Sequence, residues 1–330
     1  MNNRKKNIAI VFGGDSGEYE ISVQSGKVVH KFLDKEKYNI RLVEIKGNEW
    51  FSTDEAGNRL EIDKNDFSLV TPAGKICFDG VFIAIHGTPG EDGKLQGYFD
   101  MLKIPYSSCD HATSALTFNK YFCKNFVTAV GVDNAKAILL TKDTNLDEVQ
   151  VLNKLTLPVF VKPNNGGSSV GMSKVNKAGE LDEAVSKAFD EDDEILIEEF
   201  IEGREITCGV LKRGDELIVF PVTEIISKKE FFDYEAKYMA GLSEEIVPAQ
   251  IPNDVTETCK KTSAFLYRQL NCKGVVRFDY IFNEKGLNFL EVNTVPGMTE
   301  ASIVPKMAEA HGMSLDELFS IITGEMFGEE

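Results

Sequence analysis

No apolar run in this 330-residue chain approaches the roughly 18 to 20 residues that a membrane span needs. No block of Lys and Arg appears either. The nearest is Lys212-Arg213, and the net charge is −17. A nucleic-acid binder is expected to carry a basic face, so neither a membrane nor a nucleic acid is an expected partner. Any anionic substrate must be held by a local cluster of lysines and arginines against the field of the whole chain. The six cysteines, Cys77, Cys109, Cys123, Cys208, Cys259 and Cys272, form no C-x-x-C pair. That excludes the common zinc and redox motifs and fits reduced thiols in the cytoplasm. Two nucleotide signatures are missing too. G-x-x-x-x-G-K-[ST] is absent and no G-x-G-x-x-G follows an opening strand, so P-loop and Rossmann readings fail. The start, MNNRKKNIAIVFGG, is basic, but its apolar stretch is too short for a signal peptide and reads as a first core strand.

The length predicts two or three domains, and neither an internal repeat nor a low-complexity segment interrupts them. The first third alternates strand and helix: a strand at 7–12 ending in Gly13-Gly14, a helix at 21–33, and strands at 40–45 and 81–85. Such alternation predicts an α/β unit with a parallel sheet covered by helices. Ligands of these sheets gather at the carboxyl ends of the strands, where Gly13-Gly14 and His86-Gly87 lie. A second region begins near Cys109, with a helix at 111–130 and strands at 135–141 and 195–201. Between these, strands at 157–162 and 170–175 flank the Gly-rich segment NNGGSSVG as a hairpin. The last third holds strands at 206–211, 217–225, 274–282 and 287–292 and a helix at 254–270. Residues 226–247 lack a clean period, and a loop this long is usually functional or disordered. The expected units are 1–108, 109–201 and 202–330.

Three segments carry candidate chemistry. Arg277-Phe-Asp279 and Leu290-Glu291-Val-Asn293 lie on adjacent predicted strands. Alternate residues share a face, so two carboxylates and an amide oxygen sit beside a guanidinium. Hard oxygen donors of this kind suit magnesium; alone, the pattern equally fits an exposed polar face with one salt bridge. Lys162-Pro-Asn-Asn-Gly-Gly-Ser168-Ser169-Val-Gly171 can wrap backbone N–H groups and hydroxyls around phosphates, or be a plain mobile hairpin. Glu198-Glu199-Phe200-Ile201 ends an apolar strand and can offer backbone groups to an adenine edge, with Glu205 near enough for ribose hydroxyls.

In this order, lysine with a Gly-rich hairpin, strand with an acidic end, then R-x-D and L-E-x-N, the chain resembles the ATP-grasp enzymes. Four further motifs narrow the likeness. They are Gly13-Gly-Asp-Ser-Gly-Glu18-Tyr-Glu-Ile-Ser22, His86-Gly-Thr-Pro-Gly-Glu-Asp-Gly-Lys-Leu-Gln-Gly97, Tyr234-Glu-Ala-Lys237-Tyr238 and Glu291-Val-Asn-Thr-Val-Pro-Gly-Met-Thr299. With these the chain resembles the D-alanine–D-alanine ligase family, essentially end to end.

The resemblance implies an α+β ATP-grasp fold, with a parallel α/β domain first and two subdomains that hold ATP between them. It implies an ATP-dependent condensation of two D-alanines through an acyl phosphate, in a bacterial, cytoplasmic homodimer serving peptidoglycan synthesis. By the same resemblance Lys120, Lys162, Ser168 and Ser169 meet the phosphates, and Lys237 reaches the γ-phosphate. Glu198, Glu199, Phe200 and Ile201 line the adenine, and Glu205 the ribose. Asp279, Glu291 and Asn293 hold two Mg2+, with Glu291 bridging and Mn2+ able to substitute. Arg277 and the Gly297 N–H are the oxyanion donors. Glu18 pairs with the first D-alanine's ammonium, Ser302 and the Ile303 backbone take the second one's carboxylate, and His86 lies near that pocket. Glu18, Ser168 and Tyr238 form a hydrogen-bonded set that closes the 226–247 loop as a lid. The chain departs from common family members at Val295 and in Asn164-Asn165-Gly166; neither departure is expected to touch a residue that the chemistry needs.

Overall fold

The computed structural model describes residues 4–144, 146–167, 170–227 and 243–329. Ser168, Ser169, Lys237 and Tyr238, and with them most of the 226–247 loop, lie outside these residues.

β1 (Lys6–Gly13) carries four consecutive apolar residues, Ile8 to Val11, each fully buried. A strand apolar on both faces needs cover on both. α1 (Tyr19–Phe32) supplies part of it, and β2 (Tyr38–Lys46) pairs parallel to β1. The chain then runs through β3 (Glu49–Thr53), β4 (Arg59–Asp63), β5 (Ser68–Thr71) and β6 (Gly74–Cys77) before β7 (Gly80–Ile83) returns parallel to β1. The sheet order is β6-β5-β4-β3-β2-β1-β7. The expected parallel arrangement therefore holds for β2, β1 and β7. Residues 49–77 add an antiparallel meander that the sequence reading left unassigned. Its strands have four or five residues each, too few to show a period. Ala9 and Val11 pack on Phe67, Leu69 and, from α2 (Lys94–Leu102), Leu95 and Phe99.

The helix expected at 111–130 is two helices, α3 (His111–Phe118) and α4 (Lys120–Ala129). They break at Asn119, whose extended backbone lets its side chain accept the Phe122 N–H at 2.9 Å and cap α4. β8 (Ala137–Thr141), α5 (Glu148–Lys154), β9 (Val159–Pro163), β10 (Ser173–Val175), α6 (Leu181–Phe189) and β11 (Glu194–Glu199) follow. Their sheet, β10-β9-β11-β8, is antiparallel throughout. Its buried face, with Val159, Val161, Ile195 and Ile197, packs on Leu181, Val185 and Ala188 of α6.

β12 (Arg204–Arg213) starts a third sheet with β13 (Glu216–Val219), β14 (Thr223–Ser227) and β15 (Ser243–Ile246). The single strand expected at 217–225 is two, interrupted at Phe220-Pro221-Val222. Both halves pair with β12, at Val210↔Val219 and Thr207↔Thr223. α7 (Asn253–Gln269) covers one face, and β16 (Val275–Asn283) and β17 (Gly286–Asn293) complete the sheet. The buried Tyr280 hydroxyl and Ser263 Oγ lie 2.9 Å apart, so a polar pair inside this core is satisfied. All six cysteines are free thiols. No helix among the described residues is long and apolar enough to cross a membrane.

α8 (Ile303–Ala310) and α9 (Leu315–Met326) end the chain by folding back on the first sheet. Ile8, Ile10 and Phe82 share one core with Val304, Leu318, Phe319 and Ile322. Phe82 and Phe319 meet edge to face, with centroids 5.9 Å apart. Phe319→Ala is expected to destabilise the fold by about 3–5 kcal/mol, the usual cost of emptying a buried aromatic site. Urea unfolding checks this; a loss near zero would mean α9 is a loosely attached appendage.

Candidate active site

β16 and β17 build the centre of the site. Their register sets Arg277 opposite Asn293 and Asp279 opposite Glu291, and it shifts just after Asp279. All four therefore lie on one face. Arg277 donates two hydrogen bonds to Asp279, Nε to Oδ1 at 2.9 Å and Nη2 to Oδ2 at 2.8 Å. Asn293 Nδ2 donates to Asp279 Oδ2 at 3.1 Å. Thr207 on β12, opposite Asp279, also donates to Oδ1. The Asp279 carboxylate is thus buried and fully oriented. Two carboxylates and one amide on this face are hard oxygen donors, and they fit a magnesium-type cation, which takes few protein ligands and keeps other oxygens around it.

The loop after β17 is gripped from the first domain. His86 Nδ1 lies 2.8 Å from the Val295 carbonyl and Nε2 2.9 Å from Ser25 Oγ. A carbonyl only accepts, so Nδ1 carries the proton and Nε2 accepts from Ser25. Burial pulls the imidazole below its usual range, in keeping with this neutral tautomer. Ser25 Oγ in turn accepts the Met298 N–H at 3.2 Å. Glu91 completes the grip, accepting the Gly87 N–H at 2.7 Å and the Val295 N–H at 3.1 Å. Both polar groups of the Val295 backbone are therefore held by side chains about 200 residues away. Val295 was expected to matter little, and its side chain does not enter these bonds; its backbone does. Further on, a Cβ at Gly297 would sit 2.8 Å from Ser302 Oγ, so the chain there has no room for a side chain. Ser302 Oγ lies 2.7 Å from Thr299 Oγ1 and does not cap α8. Ser302 and Ile303, at the start of that helix, line the smaller of the two cavities described below, and a helix start without a side-chain cap favours a carboxylate.

The phosphate candidates come together at the start of α4 and the end of β9. The Asn164 side chain accepts the Tyr121 N–H at 2.9 Å and donates to Glu194 Oε2 at 2.8 Å, while its carbonyl accepts the Lys120 N–H at 3.1 Å. Lys120 Nζ donates to the Gly166 carbonyl. The segment Asn164-Asn165-Gly166 was expected to touch no residue needed for chemistry; instead it positions Lys120. A Cβ on Gly167 would lie 2.7 Å from Glu18 Oε2, so the hairpin tip packs directly on Glu18. Lys162 Nζ is 2.6 Å from Glu198 Oε1. Glu198 is buried and its carboxylate is held in this ion pair; the adenine contact expected of 198–201 called on backbone groups. The N–H groups of Glu199 and Phe200 bond to the Lys136 and Pro158 carbonyls. Phe200 meets Phe160 edge to face with centroids 5.6 Å apart.

Two cavities meet over β17. The larger, about 1180 Å³, is lined by Lys162, Glu198, Ile201 and Glu205 among others. The smaller, about 320 Å³, holds His86, Glu91, Arg277, Asn293, Gly297 and Ser302. Glu18, Lys120, Glu205 and Glu291 line both.

Known proteins agree with this geometry. The family described as "D-ala D-ala ligase N-terminus" matches residues 7–109, and "D-ala D-ala ligase C-terminus" matches residues 126–323. The chain belongs to the D-alanine–D-alanine ligase family. A D-alanine–D-alanine ligase of Phocaeicola vulgatus is 45% identical over 98% of this chain and 100% of its own length. One from Azobacteroides pseudotrichonymphae is 46% identical over 96% and 98%. Among solved structures, the VanG D-Ala:D-Ser ligase of Enterococcus faecalis superposes with a TM-score of 0.88 at 33% identity, covering 98% of this chain and 100% of that one. The ATP complex of the Bacillus anthracis D-alanine–D-alanine ligase gives 0.79 at 30% identity, covering 98% and 97%.

The ligase thus brings together every described residue singled out from its sequence. Sequence reasoning missed Ser25, Glu91 and Thr207, and it gave Asn164 no role of its own. Glu91 lay inside the quoted His86 motif, but its partner is Val295, which no local pattern reveals. Burial, then the nearby Glu18 carboxylate, push the Glu91 carboxyl up to about 7. A raised carboxyl keeps its proton longer in the folded state, so stability falls with rising pH between the unfolded value near 4.5 and about 7. Glu91→Gln removes this titration. Wild-type stability relative to the variant is expected to drop by up to about 1.4 kcal/mol per pH unit across that window. Urea unfolding of both proteins at several pH values checks it; a constant difference would refute the assignment.

Proposed function

We propose that this ligase condenses two D-alanines into D-alanyl-D-alanine at the expense of ATP, through a D-alanyl phosphate. The observation that carries the reading is the junction of the two cavities at Glu291, on the face it shares with Arg277, Asp279 and Asn293. The larger cavity suits a nucleotide and the smaller one two amino acids. The γ-phosphoryl group then lies at the seam.

A carboxylate does not react with an amine until it is activated. One oxygen of the first D-alanine attacks the γ-phosphorus, ADP leaves, and the amine of the second D-alanine attacks the acyl carbon. The tetrahedral intermediate then expels phosphate. Phosphoryl transfer asks chiefly for positioning and charge neutralisation. We assign Lys120 and Lys162 to the phosphates, the backbone of 198–201 to the adenine edge and Glu205 to the ribose. Asp279, Glu291 and Asn293 would hold two Mg2+, with Mn2+ able to substitute; such ions would supply charge neutralisation for the transferred phosphoryl group. Arg277 and the Gly297 N–H stabilise the oxyanion. Glu18 holds the first ammonium, and the open start of α8, at Ser302 and Ile303, takes the second carboxylate. We assign His86 to holding the Val295 loop rather than to contact with substrate.

Ser168, Ser169, Lys237 and Tyr238 keep their assignments from the resemblance alone, as ATP contacts and as the latch with Glu18. Three units, 1–108, 109–201 and 202–330, form the working parts. The family resemblance of the sequence motifs leads us to propose further a cytoplasmic homodimer that serves peptidoglycan synthesis.

The test is phosphate release from ATP with D-alanine alone and with D-serine or D-lactate added, followed by product analysis. D-alanyl-D-alanine is the expected main product. D-alanyl-D-serine or D-alanyl-D-lactate as the main product would replace the proposed substrate pair, and no D-alanine-dependent release would remove the reaction. Arg277→Met is expected to lower kcat by about 10² to 10³, the usual cost of one oxyanion donor, while ATP affinity changes little. Steady-state kinetics with ATP titrations separate the two; near-normal kcat would free Arg277 from this role.

A further inference from the structure

Glu198 has two lysines, not one. Lys162 Nζ lies 2.6 Å from Oε1, and Lys124 Nζ, from the buried face of α4, lies 3.1 Å from Oε2. The Lys124–Glu198 contact is ionic without hydrogen-bond geometry, and both atoms lack any hydrogen-bond partner. Both side chains are nearly sealed, Lys124 at 5% exposure and Glu198 at 3%, while Lys162 is at 11%. Lys162 and Glu198 line the larger cavity and Lys124 does not. Glu198 and Lys162 share one face of the sheet, because Lys162 is opposite Leu196, two residues before Glu198. The cluster is thus layered: Lys162 and Glu198 at the cavity wall, Lys124 behind Glu198.

Burial pulls Lys124 below the usual lysine range and the Glu198 carboxylate opposes that fall; with both lysines protonated, one carboxylate faces two cations and the cluster carries a surplus positive charge. Lys162 can spend it on a ligand, since it faces the cavity. If Lys162 turns away, Glu198 remains buried and charged, and a buried charge left without a partner is strongly unfavourable. Lys124 prevents that. Burial alone would push Glu198 up, yet the two lysines hold it at about 2.

We propose that Lys124 is a positioning residue for nucleotide binding: it is the standing counter-ion of Glu198, which frees Lys162 to leave the carboxylate and meet the nucleotide's phosphates. This rests on the reading that the larger cavity takes ATP. Without Lys124, Lys162 is the sole partner of Glu198 and is held back from the phosphates. The effect is therefore specific to ligands with phosphates, and it vanishes when Glu198 loses its charge.

Calorimetric titration of the full chain with MgATP and with adenosine tests this. Lys124→Met is expected to weaken MgATP binding at least tenfold and to leave adenosine binding within twofold. The double variant Lys124→Met/Glu198→Gln is expected to regain the MgATP affinity of Glu198→Gln alone, and Lys124→Arg to stay near wild type. Equal losses for both ligands, no loss for MgATP, or no recovery in the double variant would each overturn the role. Should Lys124→Met fail to fold, the double variant and Lys124→Arg still decide: MgATP affinity tenfold below Glu198→Gln in the former, or below wild type in the latter, counts against it, and retained affinity in both supports it. Wild-type protein that binds adenosine and MgATP equally weakly would instead overturn the nucleotide reading beneath it.

Discussion

The register between β16 and β17 is the constraint on which the site depends. A slip of one residue would turn every side chain of β17 to the opposite face. Glu291 and Asn293 would enter the core that Phe289 and Val292 now fill, and Asp279 would lose an amide partner. The buried side chains of Phe278 and Tyr280 alternate with Arg277 and Asp279 along β16. Packing and chemistry therefore fix the same alignment, and neither can be changed without the other.

The second organising element is the seam between the first domain and the last. It is made twice, in different materials. On one side of β1 it is apolar, with Ile8, Ile10 and Phe82 against α8 and α9. At the carboxyl end of the sheet it is polar, with Ser25, His86 and Glu91 holding backbone groups from Val295 to Met298. The apolar contact supplies most of the adhesion, since burial is roughly proportional to area. The polar contact supplies aim, because hydrogen bonds are directional. Gly297 lies within the held stretch and Ser302 just beyond it, so the aim is passed to the smaller cavity.

Much of this was legible in the chain. Arg277, Asp279, Glu291 and Asn293 could be read as one face because strand period and residue chemistry are local properties. Lys162 and the Gly-rich hairpin were legible for the same reason. The meander at 49–77 was not, because strands of four or five residues leave no periodic signal. The break at Asn119 was hidden because 111–130 is helix-forming on both sides, although Asn is a strong capping residue. Glu91, Ser25 and Lys124 read as ordinary polar positions, for their partners are far away in sequence. Glu198 is a further case: a strand-end carboxylate looks available until the lysine of a distant helix is known to stand behind it.

The return of α9 to the first sheet also bears on how the chain is made. Ile10 and Phe319 share a core, yet they are separated by about 300 residues of sequence. At a synthesis rate of about 5 to 20 residues per second, the ribosome needs on the order of 15 to 60 s to bridge that gap. Throughout that interval β1 waits with this apolar side covered only in part, by α1 residues such as Val29. The first sheet therefore starts before the other two sheets and is finished only after α9, which follows both of them, has left the exit tunnel.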